Sequence, residues 1–340
     1  MAGLNETRGS MKKVAFLSDN AAAVDQVYGQ GRRQRLEAIA EVYPSVLTAA
    51  NIDQHLDQLQ GLEALFSTWG MPNLSPAQLD RLKNLQMVFY AAGSVQSFAA
   101  PLLQRGIQVA AAWHANAVPV AEYTLAQILL ANKGFFRNVQ ACTTPAGRQT
   151  AYRGRGNFGA TVALLGLGAV GLKVRELLRP FELEIVVFDP FLPPQRARQL
   201  DVKLVSLEEA FGRGDVVSNH LANNPGTRHM IDQRHFGALQ DHAVFINTGR
   251  GATLVEADLA TELAARPSLT ALLDVTDPEP PAADSPLYQL SNAHLTTHIA
   301  GSLNDEVVRM ADYMLEEFSA WEQGQPLRYS VSQEMLETMA

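Results

Sequence analysis

Short apolar runs alternate with helix-like segments along most of the chain. A serine followed by a proline, Ser75-Pro76, is typical of a helix start, because serine caps the first turn and proline fits there. Alternation of this kind indicates parallel sheets with helices on both faces, and therefore the α/β class. The strands predicted in the first third are Lys13–Ser18, Leu62–Ser67, Leu85–Tyr90 and Ile107–Ala110.

The same rhythm restarts beyond residue 160. A long helix is predicted over 119–141, with Pro119 in its first turn, and a polar loop over 146–159. A helix is predicted over 169–179 and a last one over 304–323. The strands predicted here are Thr161–Leu165, Glu184–Phe188, Val216–Ser218, Ala243–Asn247 and Leu269–Asp274.

This order of elements predicts two Rossmann-like or flavodoxin-like α/β domains, each with a parallel sheet. One domain is discontinuous and comprises 1–118 and 299–340, and the other comprises 119–298. The cleft between two such domains is the default place for a ligand.

Composition narrows the class of protein. With 340 residues, 47% of them hydrophobic and 18% charged, the chain has the makeup of a globular protein. The net charge is −8 and no basic stripe occurs, so nucleic acid is not expected as a partner. The apolar stretch Val118–Ala131 is too short to span a membrane and carries Glu122.

The single cysteine, Cys142, cannot form an internal disulfide, which favours a reducing cytoplasm. Residues Met1–Ser10 lack the apolar core of a signal peptide and are interpreted as a short lead-in.

A dinucleotide-binding pattern, G-x-G-x-x-G, follows the strand at Thr161–Leu165 and opens the next helix. Gly166 permits a tight turn, Gly168 lets the backbone approach a pyrophosphate, and Gly171 lets helix and strand pack closely. The helix start at Ala169 and Val170 would attract the phosphates.

Asp189 ends the next predicted strand, 23 residues after Gly166. An acid at about this spacing binds the ribose hydroxyls and would repel the extra phosphate of NADP, so NAD is the predicted cofactor. The alternative is that Asp189 only caps the turn at Asp189-Pro190.

Arg250 and His298 are candidates for chemistry. Arg250 stands between two glycines after a predicted strand, and its planar guanidinium matches a carboxylate, although a surface arginine near a turn remains an alternative. Histidine titrates near neutrality and suits proton transfer. The residues alone do not choose His298 over His294 or His220. Glu279 lies in a loop stiffened by prolines on either side.

Together these segments resemble the D-isomer-specific 2-hydroxyacid dehydrogenase family. The resemblance covers nearly the whole chain. The segments on which the resemblance rests are Val120–Glu122, Gly166–Gly171, Gly214–Leu221, Asn247–Gly251, Leu273–Pro280 and Thr297–Gly301.

The resemblance implies roles for single residues. Arg250 would bind the substrate carboxylate, His298 would be the acid/base, and Glu279 would orient His298. Asp277 is a rival for Glu279, but only Glu279 has the family's Glu-Pro placement. Asp274 would hold the nicotinamide carboxamide. The predicted cofactor-binding residues are Gly166, Gly168, Ala169, Val170, Gly171, Asp189, His220, Leu221, Thr227, Thr248, Gly249, Asp274, His298 and Gly301.

The resemblance also implies an activity: hydride transfer between NAD and a small 2-hydroxy or 2-oxo acid, with D specificity. Residues 119–298 would then bind NAD, the other domain would bind substrate, and the helix over 119–141 would help to form a homodimer. No metal site is predicted. Two alternatives stay open, an NAD(H)-sensing binding protein of the same fold and a dehydrogenase of another small anion such as formate or phosphite.

One stretch departs from the family pattern. Family members often show Gly-x-Gly-x-Asp-x-x-Asp in the substrate domain, whereas this chain has Ala91–Phe98, with one glycine and no acid. Ala92 and Gly93 could still offer backbone N–H groups to a substrate carboxylate. The loop after His220 differs too, because Ala222-Asn223-Asn224 replaces a proline-rich continuation.

Overall fold

The computed structural model describes residues 11–339, so the predicted lead-in Met1–Ser10 lies outside the described residues. They form two compact units, one made of 11–116 with 303–338 and the other of 117–302. The strands are β1 Lys12–Phe16, β2 Ala40–Val42, β3 Ala64–Ser67, β4 Met87–Tyr90, β5 Gln108–Ala111, β6 Thr161–Leu165, β7 Glu184–Phe188, β8 Lys203–Leu204, β9 Val216–Asn219, β10 Val244–Asn247, β11 Thr270–Leu273 and β12 Ala293–Leu295.

Helices connect these strands in both units. They are α1 Ala21–Val27, α2 Arg32–Glu37, α3 Ile52–His55, α4 Pro76–Arg81, α5 Ala99–Gln104, α6 Trp113–Asn132, α7 Phe135–Ala141, α8 Pro145–Thr150, α9 Ala169–Leu178, α10 Pro194–Gln199, α11 Leu207–Arg213, α12 Gln233–Gly237, α13 Glu256–Ala265 and α14 Val308–Glu322. Short 3₁₀ turns lie at Gly251–Thr253, Pro286–Tyr288, Asn304–Val307 and Glu334–Glu337.

The sheet of the first unit has the order β2-β1-β3-β4-β5, and every neighbouring pair is parallel. Phe66 and Phe89 on neighbouring strands stack with ring centroids 4.9 Å apart. Phe318 of α14 lies 5.5 Å from the ring of Phe66 and is fully buried. The C-terminal helix therefore covers one face of this sheet and supplies part of its apolar core.

The sheet of the second unit has the order β12-β11-β10-β9-β6-β7-β8, again with parallel pairs. The chain runs outward from β6 to β8, then returns to β9 and runs outward the other way. In open α/β sheets a ligand crevice forms where the order reverses in this way, beyond the carboxyl ends of the strands. The loops that follow β6, β7, β9, β10, β11 and β12 therefore share one edge.

The predicted α/β class with parallel sheets is confirmed. The strand over Glu184–Phe188 has the predicted bounds. Ser75 caps α4 in a capping box, accepting from Gln78 N while the Gln78 side chain accepts from Ser75 N.

The predicted helix over 119–141 is wrong in its extent. The helix α6 begins six residues earlier, at Trp113, and Pro119 lies inside it rather than in its first turn. It ends at Asn132, and Gly134 adopts φ +72° before α7 begins. A Cβ on Gly134 would lie 2.6 Å from the amide nitrogen of Gly154, so the close approach of another segment fixes the break.

The predicted loop over 146–159 is also partly wrong, because α8 occupies its beginning. Thr144 accepts a hydrogen bond from Gly147 N at 3.0 Å, and Pro145 stands in the first turn. Both are ordinary helix-start signals.

Three short strands, β2, β8 and β12, have no counterpart in the sequence prediction. Each lies at an edge of its sheet and has two or three residues. Too few positions are present for an apolar pattern to show. No helix within 11–339 is long and apolar enough to cross a membrane.

Candidate cofactor site and active site

The glycine loop after β6 has the geometry of a phosphate cradle. Gly166 has φ +87°, and a Cβ there would lie 3.0 Å from the carbonyl of His220. A Cβ on Gly171 would lie 2.1 Å from Gly166 O, which explains the close packing at that position. Gly168 differs, because a Cβ there would meet no atom within 4 Å.

The open side of Gly168 leads to the start of α9. Gly168 is the N-cap of this helix and provides no side-chain cap, so the first N–H groups, at Ala169 and Val170, have no partner from their own helix. Free N–H groups and the helix dipole favour an anion at this place. The loop therefore fits the pyrophosphate of a dinucleotide.

Asp189 lies directly beside this loop. Its Oδ2 accepts from Leu167 N at 2.7 Å, and its Oδ1 accepts from Phe191 N at 2.8 Å. The carboxylate thus ties the glycine loop to the end of β7 and also caps the turn that follows. Each oxygen keeps acceptor capacity, so a ribose hydroxyl could still donate to it.

The loop after β9 backs the glycine loop. The carbonyl of His220 and the amide of Leu221 form the surface against which Gly166 packs. The His220 ring is held at both nitrogens, by Ser218 Oγ at 3.0 Å and by Thr248 Oγ1 at 3.1 Å. Burial lowers the pKa of His220 to about 3, so this ring is neutral. Thr227 is fully buried and its hydroxyl closes the loop internally, on Ala222 O and Asn224 O.

Arg250 is held between two glycines that pack against different loops. A Cβ on Gly249 would lie 3.0 Å from Leu221 O, and a Cβ on Gly251 would lie 2.0 Å from the carbonyl carbon of Thr276. Gly251 therefore requires glycine and Gly249 leaves little room for a side chain, and together they bring the Arg250 loop against the loops after β9 and β11.

The guanidinium of Arg250 donates from Nη1 to Gly249 O at 2.8 Å. Among the described residues it forms no salt bridge with a carboxylate. Burial lowers the pKa of Arg250, and the charge of Glu279 raises it. A guanidinium stays charged under such a shift, so Arg250 is a cation with donors to spare.

The structure places His298 against Glu279. Nδ1 of His298 lies 2.7 Å from Oε1 of Glu279, and about half of each side chain is exposed. A carboxylate on Nδ1 fixes the ring orientation and leaves Nε2 for proton transfer. The histidine from the loop after β12 and the acid from the loop after β11 are thus brought together, 19 residues apart in the chain.

Asp274 organises the backbone that carries His298. Its carboxylate is buried and accepts from Ile299 N at 2.8 Å, Ala300 N at 3.0 Å and the Thr296 hydroxyl at 2.7 Å. Within the described part of the chain its Oδ2 has one partner, so it can accept a further donor such as a carboxamide. Gly301 follows immediately and is half-buried.

The rival residues lie elsewhere. Asp277 Oδ2 lies 3.8 Å from the guanidinium of Arg228, so this carboxylate is not on His298. The ring of His294 packs beside Phe136, with its Nε2 3.5 Å from the side chain of Gln140. The geometry therefore favours the His298–Glu279 pair.

Sequence reasoning gave no role to two buried amides. Asn219 and Asn247 end neighbouring strands and are both fully buried, and Asn219 Nδ2 donates to Asn247 Oδ1 at 3.0 Å. Asn247 in turn accepts from Gly249 N and donates to Arg250 O. The sequence did contain a signal for these two amides, because each is a polar residue at the end of an otherwise apolar strand.

Ala92 and Gly93 belong to the first unit, after β4. The N–H of Ala92 donates to Tyr90 O at 2.9 Å. A Cβ on Gly93 would come no closer than 3.8 Å to its nearest neighbour, Asn116 Nδ2, so Gly93 is left as the more accessible of the two.

Comparison with known proteins decides the family. A model of the NAD-binding domain of D-isomer specific 2-hydroxyacid dehydrogenases matches residues 125–300, just over half of the chain. This chain belongs to that family. The predicted family and its NAD cofactor are therefore confirmed.

Relatives within the family differ in what their names say they act on. The chain is 30% identical to D-3-phosphoglycerate dehydrogenase from Archaeoglobus fulgidus, over 67% of this chain and 44% of that enzyme. It is 31% identical to (S)-sulfolactate dehydrogenase from Chromohalobacter salexigens, over 60% of this chain and 67% of that enzyme. The matched region thus spans less than half the length of the phosphoglycerate enzyme.

The fold has solved counterparts. A phosphoglycerate oxidoreductase from Rhizobium etli superposes with a TM-score of 0.78 and 22% identity, covering 96% of this chain and 99% of the other. At this identity the likeness supports the fold alone.

Proposed function

We propose that this protein is an NAD-dependent dehydrogenase that moves a hydride between the nicotinamide and a small 2-hydroxy or 2-oxo acid, with D specificity. The observation that carries the proposal is the 2.7 Å contact between His298 Nδ1 and Glu279 Oε1, on the sheet edge that also carries Arg250. An acid/base and a guanidinium on the edge of an NAD-binding domain are what reduction of an oxo acid requires.

Each side chain has a distinct task in this proposal. Arg250 binds the substrate carboxylate as a planar fork and stabilises the negative charge that develops on the carbonyl oxygen. His298 gives a proton from Nε2 to that oxygen in reduction and takes it back in oxidation. Glu279 accepts from Nδ1 and so fixes the orientation of the ring and its tautomer.

The second unit has residues suited to NAD. The backbone of Gly168, Ala169 and Val170 would hold the pyrophosphate, Asp189 the ribose, and Asp274 the carboxamide. A bound nicotinamide would supply or accept the hydride. The acid at Asp189 favours NAD over NADP, since a second negative charge there is repelled.

Further parts of the proposal concern the rest of the chain. We assign residues 119–298 to cofactor binding, and residues 1–118 with 299–340, including Gly93, to substrate. A homodimer is supported by apolar side chains exposed on α6 and α7, where Leu130 is 39%, Phe135 43% and Val139 52% exposed. A cytoplasmic location is supported by the lone, unpaired Cys142.

The test is NADH oxidation by the purified chain with glyoxylate, hydroxypyruvate, pyruvate and longer 2-oxo acids. We expect turnover with at least one of them and a higher KM for NADPH than for NADH. The His298→Ala variant should lose about 10²–10⁴-fold in kcat while it still binds NADH. His294→Ala is the matched control and should keep wild-type turnover.

Two outcomes would contradict the proposal. A folded, NADH-binding protein that turns over no oxo acid would favour the sensing alternative. Oxidation of formate or phosphite with silence on the oxo acids would assign the same site to another anion.

A further inference from the structure

Two adjacent residues of α6, Tyr123 and Thr124, make hydrogen bonds to two different loops of the candidate site. Tyr123 Oη lies 3.3 Å from Thr296 Oγ1, in the loop that carries His298. Thr124 Oγ1 lies 3.3 Å from Thr248 Oγ1, two residues before Arg250. None of the roles proposed above uses either residue.

The Tyr123 contact continues to the backbone of the acid/base. The Thr296 hydroxyl donates to Asp274 Oδ1 at 2.7 Å, so its single proton is used there and Tyr123 must be the donor to Thr296. The same Asp274 oxygen accepts from Ile299 N, directly after His298. A three-member chain thus runs from the helix to the backbone beside His298.

The Thr124 contact continues in the other direction. Thr248 Oγ1 meets His220 Nδ1 at 3.1 Å, and His220 Nε2 meets Ser218 Oγ at 3.0 Å. Thr124 and Ser218 are fully buried, and Thr248 nearly so. A neutral imidazole has one donor and one acceptor, so one ring nitrogen donates and the other accepts, and the chain loses a bond if any member is removed.

From these two chains we infer that Tyr123 and Thr124 are positioning residues for the reaction: Tyr123 holds the loop of His298, and Thr124 holds the loop of Arg250. Because both lie on one rigid helix, the helix sets the spacing of the acid/base and the carboxylate-binding cation. The catalytic part of this inference rests on the proposed function, whereas the loop anchoring is a property of the second unit alone.

Single-atom variants separate the two anchors. Tyr123→Phe removes only the hydroxyl, and Thr124→Val replaces the hydroxyl by a methyl of similar size. Tyr123→Phe should lower kcat about three- to tenfold with little change in the KM for the oxo acid, since it disturbs the proton-transfer residue. Thr124→Val should raise that KM by a similar factor, and Thr124→Ser should restore it.

An activity-independent readout covers the case of an inactive wild type. In hydrogen exchange, Tyr123→Phe should speed exchange in the segment 296–301 and leave 248–251 unchanged. Thr124→Val should do the reverse. The matched controls are Tyr43→Phe, whose hydroxyl meets His55 and Gln58, and Thr261→Val, whose hydroxyl bonds Ala257 O on its own helix. Neither control should change either segment.

The outcomes separate the two proposals. If each variant speeds hydrogen exchange only in its own segment but the protein shows no turnover, the anchoring roles are supported and the proposed function is refuted. Unchanged exchange in both segments, or the same increase in both segments for both variants together with a lower Tm, would overturn the inference even if the enzyme is active.

Discussion

Replacing Gly168 by alanine tests whether the glycine loop binds a pyrophosphate. A Cβ at this position meets no protein atom within 4 Å, and the backbone, with φ −71° and ψ −159°, lies in a region open to alanine. Alanine is a poorer N-cap than glycine, which destabilises the fold, but it also has less conformational entropy in the unfolded chain, which stabilises the fold. These two effects are of similar size. The change in the free energy of unfolding should therefore stay within about 1 kcal/mol.

Cofactor affinity should respond quite differently. The new methyl group would fill the open space through which backbone donors reach the phosphates. Loss of one charge-assisted hydrogen bond costs about 1.5–3 kcal/mol, and about 1.4 kcal/mol corresponds to a tenfold change in Kd. The Kd for NADH should therefore rise about ten- to hundredfold.

The assay is a fluorescence titration with NADH, alongside thermal unfolding. Gly237→Ala is the matched control, because Gly237 is also open, lies in a helix of the same unit and is not assigned to the site. If Gly168→Ala binds NADH as tightly as the wild type does, the loop is not the phosphate cradle and the cofactor geometry argued above is wrong.

Three further predictions follow from the geometry. Gly251→Ala would put a Cβ 2.0 Å from the Thr276 carbonyl carbon, so the Arg250 loop must move. The value of kcat/KM should then fall about a hundredfold. Wild-type kinetics in this variant would contradict the packing argument. Arg250→Lys replaces a fork by a point charge and should lower kcat/KM for the oxo acid at least about tenfold, with the Kd for NADH unchanged; a shift in that Kd alone would reassign Arg250 to the cofactor. Since the folded pKa of His220 is depressed to about 3, the unfolded chain takes up a proton near pH 6.5 and the folded chain does not. Between pH 7 and pH 5 this group should therefore lower the free energy of unfolding, measured in urea, by about 1–2 kcal/mol. The His220→Gln variant should lose less stability over the same pH range. If the wild type and the variant lose the same amount, the burial argument is refuted.

The elements predicted most accurately are those with a strong local signal. The central strands, such as Thr161–Leu165, are continuous apolar runs because helices bury both of their faces. The helix start at Ser75-Pro76 is local chemistry and needs no partner. The edge strand Lys203–Leu204 has two residues, one of them exposed, and is a strand only because β7 offers it hydrogen bonds.

The helix predicted over 119–141 shows where local sequence signals fail to predict the structure. Nothing in residues 119–141 except Gly134 hints at a break, and a single glycine is tolerated inside many helices. The break occurs because the Gly154 backbone comes against Gly134, 20 residues away in the chain. Likewise, Tyr123 and Thr124 are ordinary helical residues until the fold brings Thr296 and Thr248 beside them.

By itself, the sequence determined the α/β class, the glycine loop and a short set of candidates for chemistry, since apolar periodicity and backbone requirements are local properties. The residues alone did not choose among His220, His294 and His298, and the preference for His298 and Glu279 came from the resemblance to the family. What only the tertiary structure provides is the geometry, in which one histidine is held between Ser218 and Thr248 and another lies on a carboxylate. The physical reason is that hydrogen bonding and burial depend on which strands lie side by side, and the strand order is not written in any single segment.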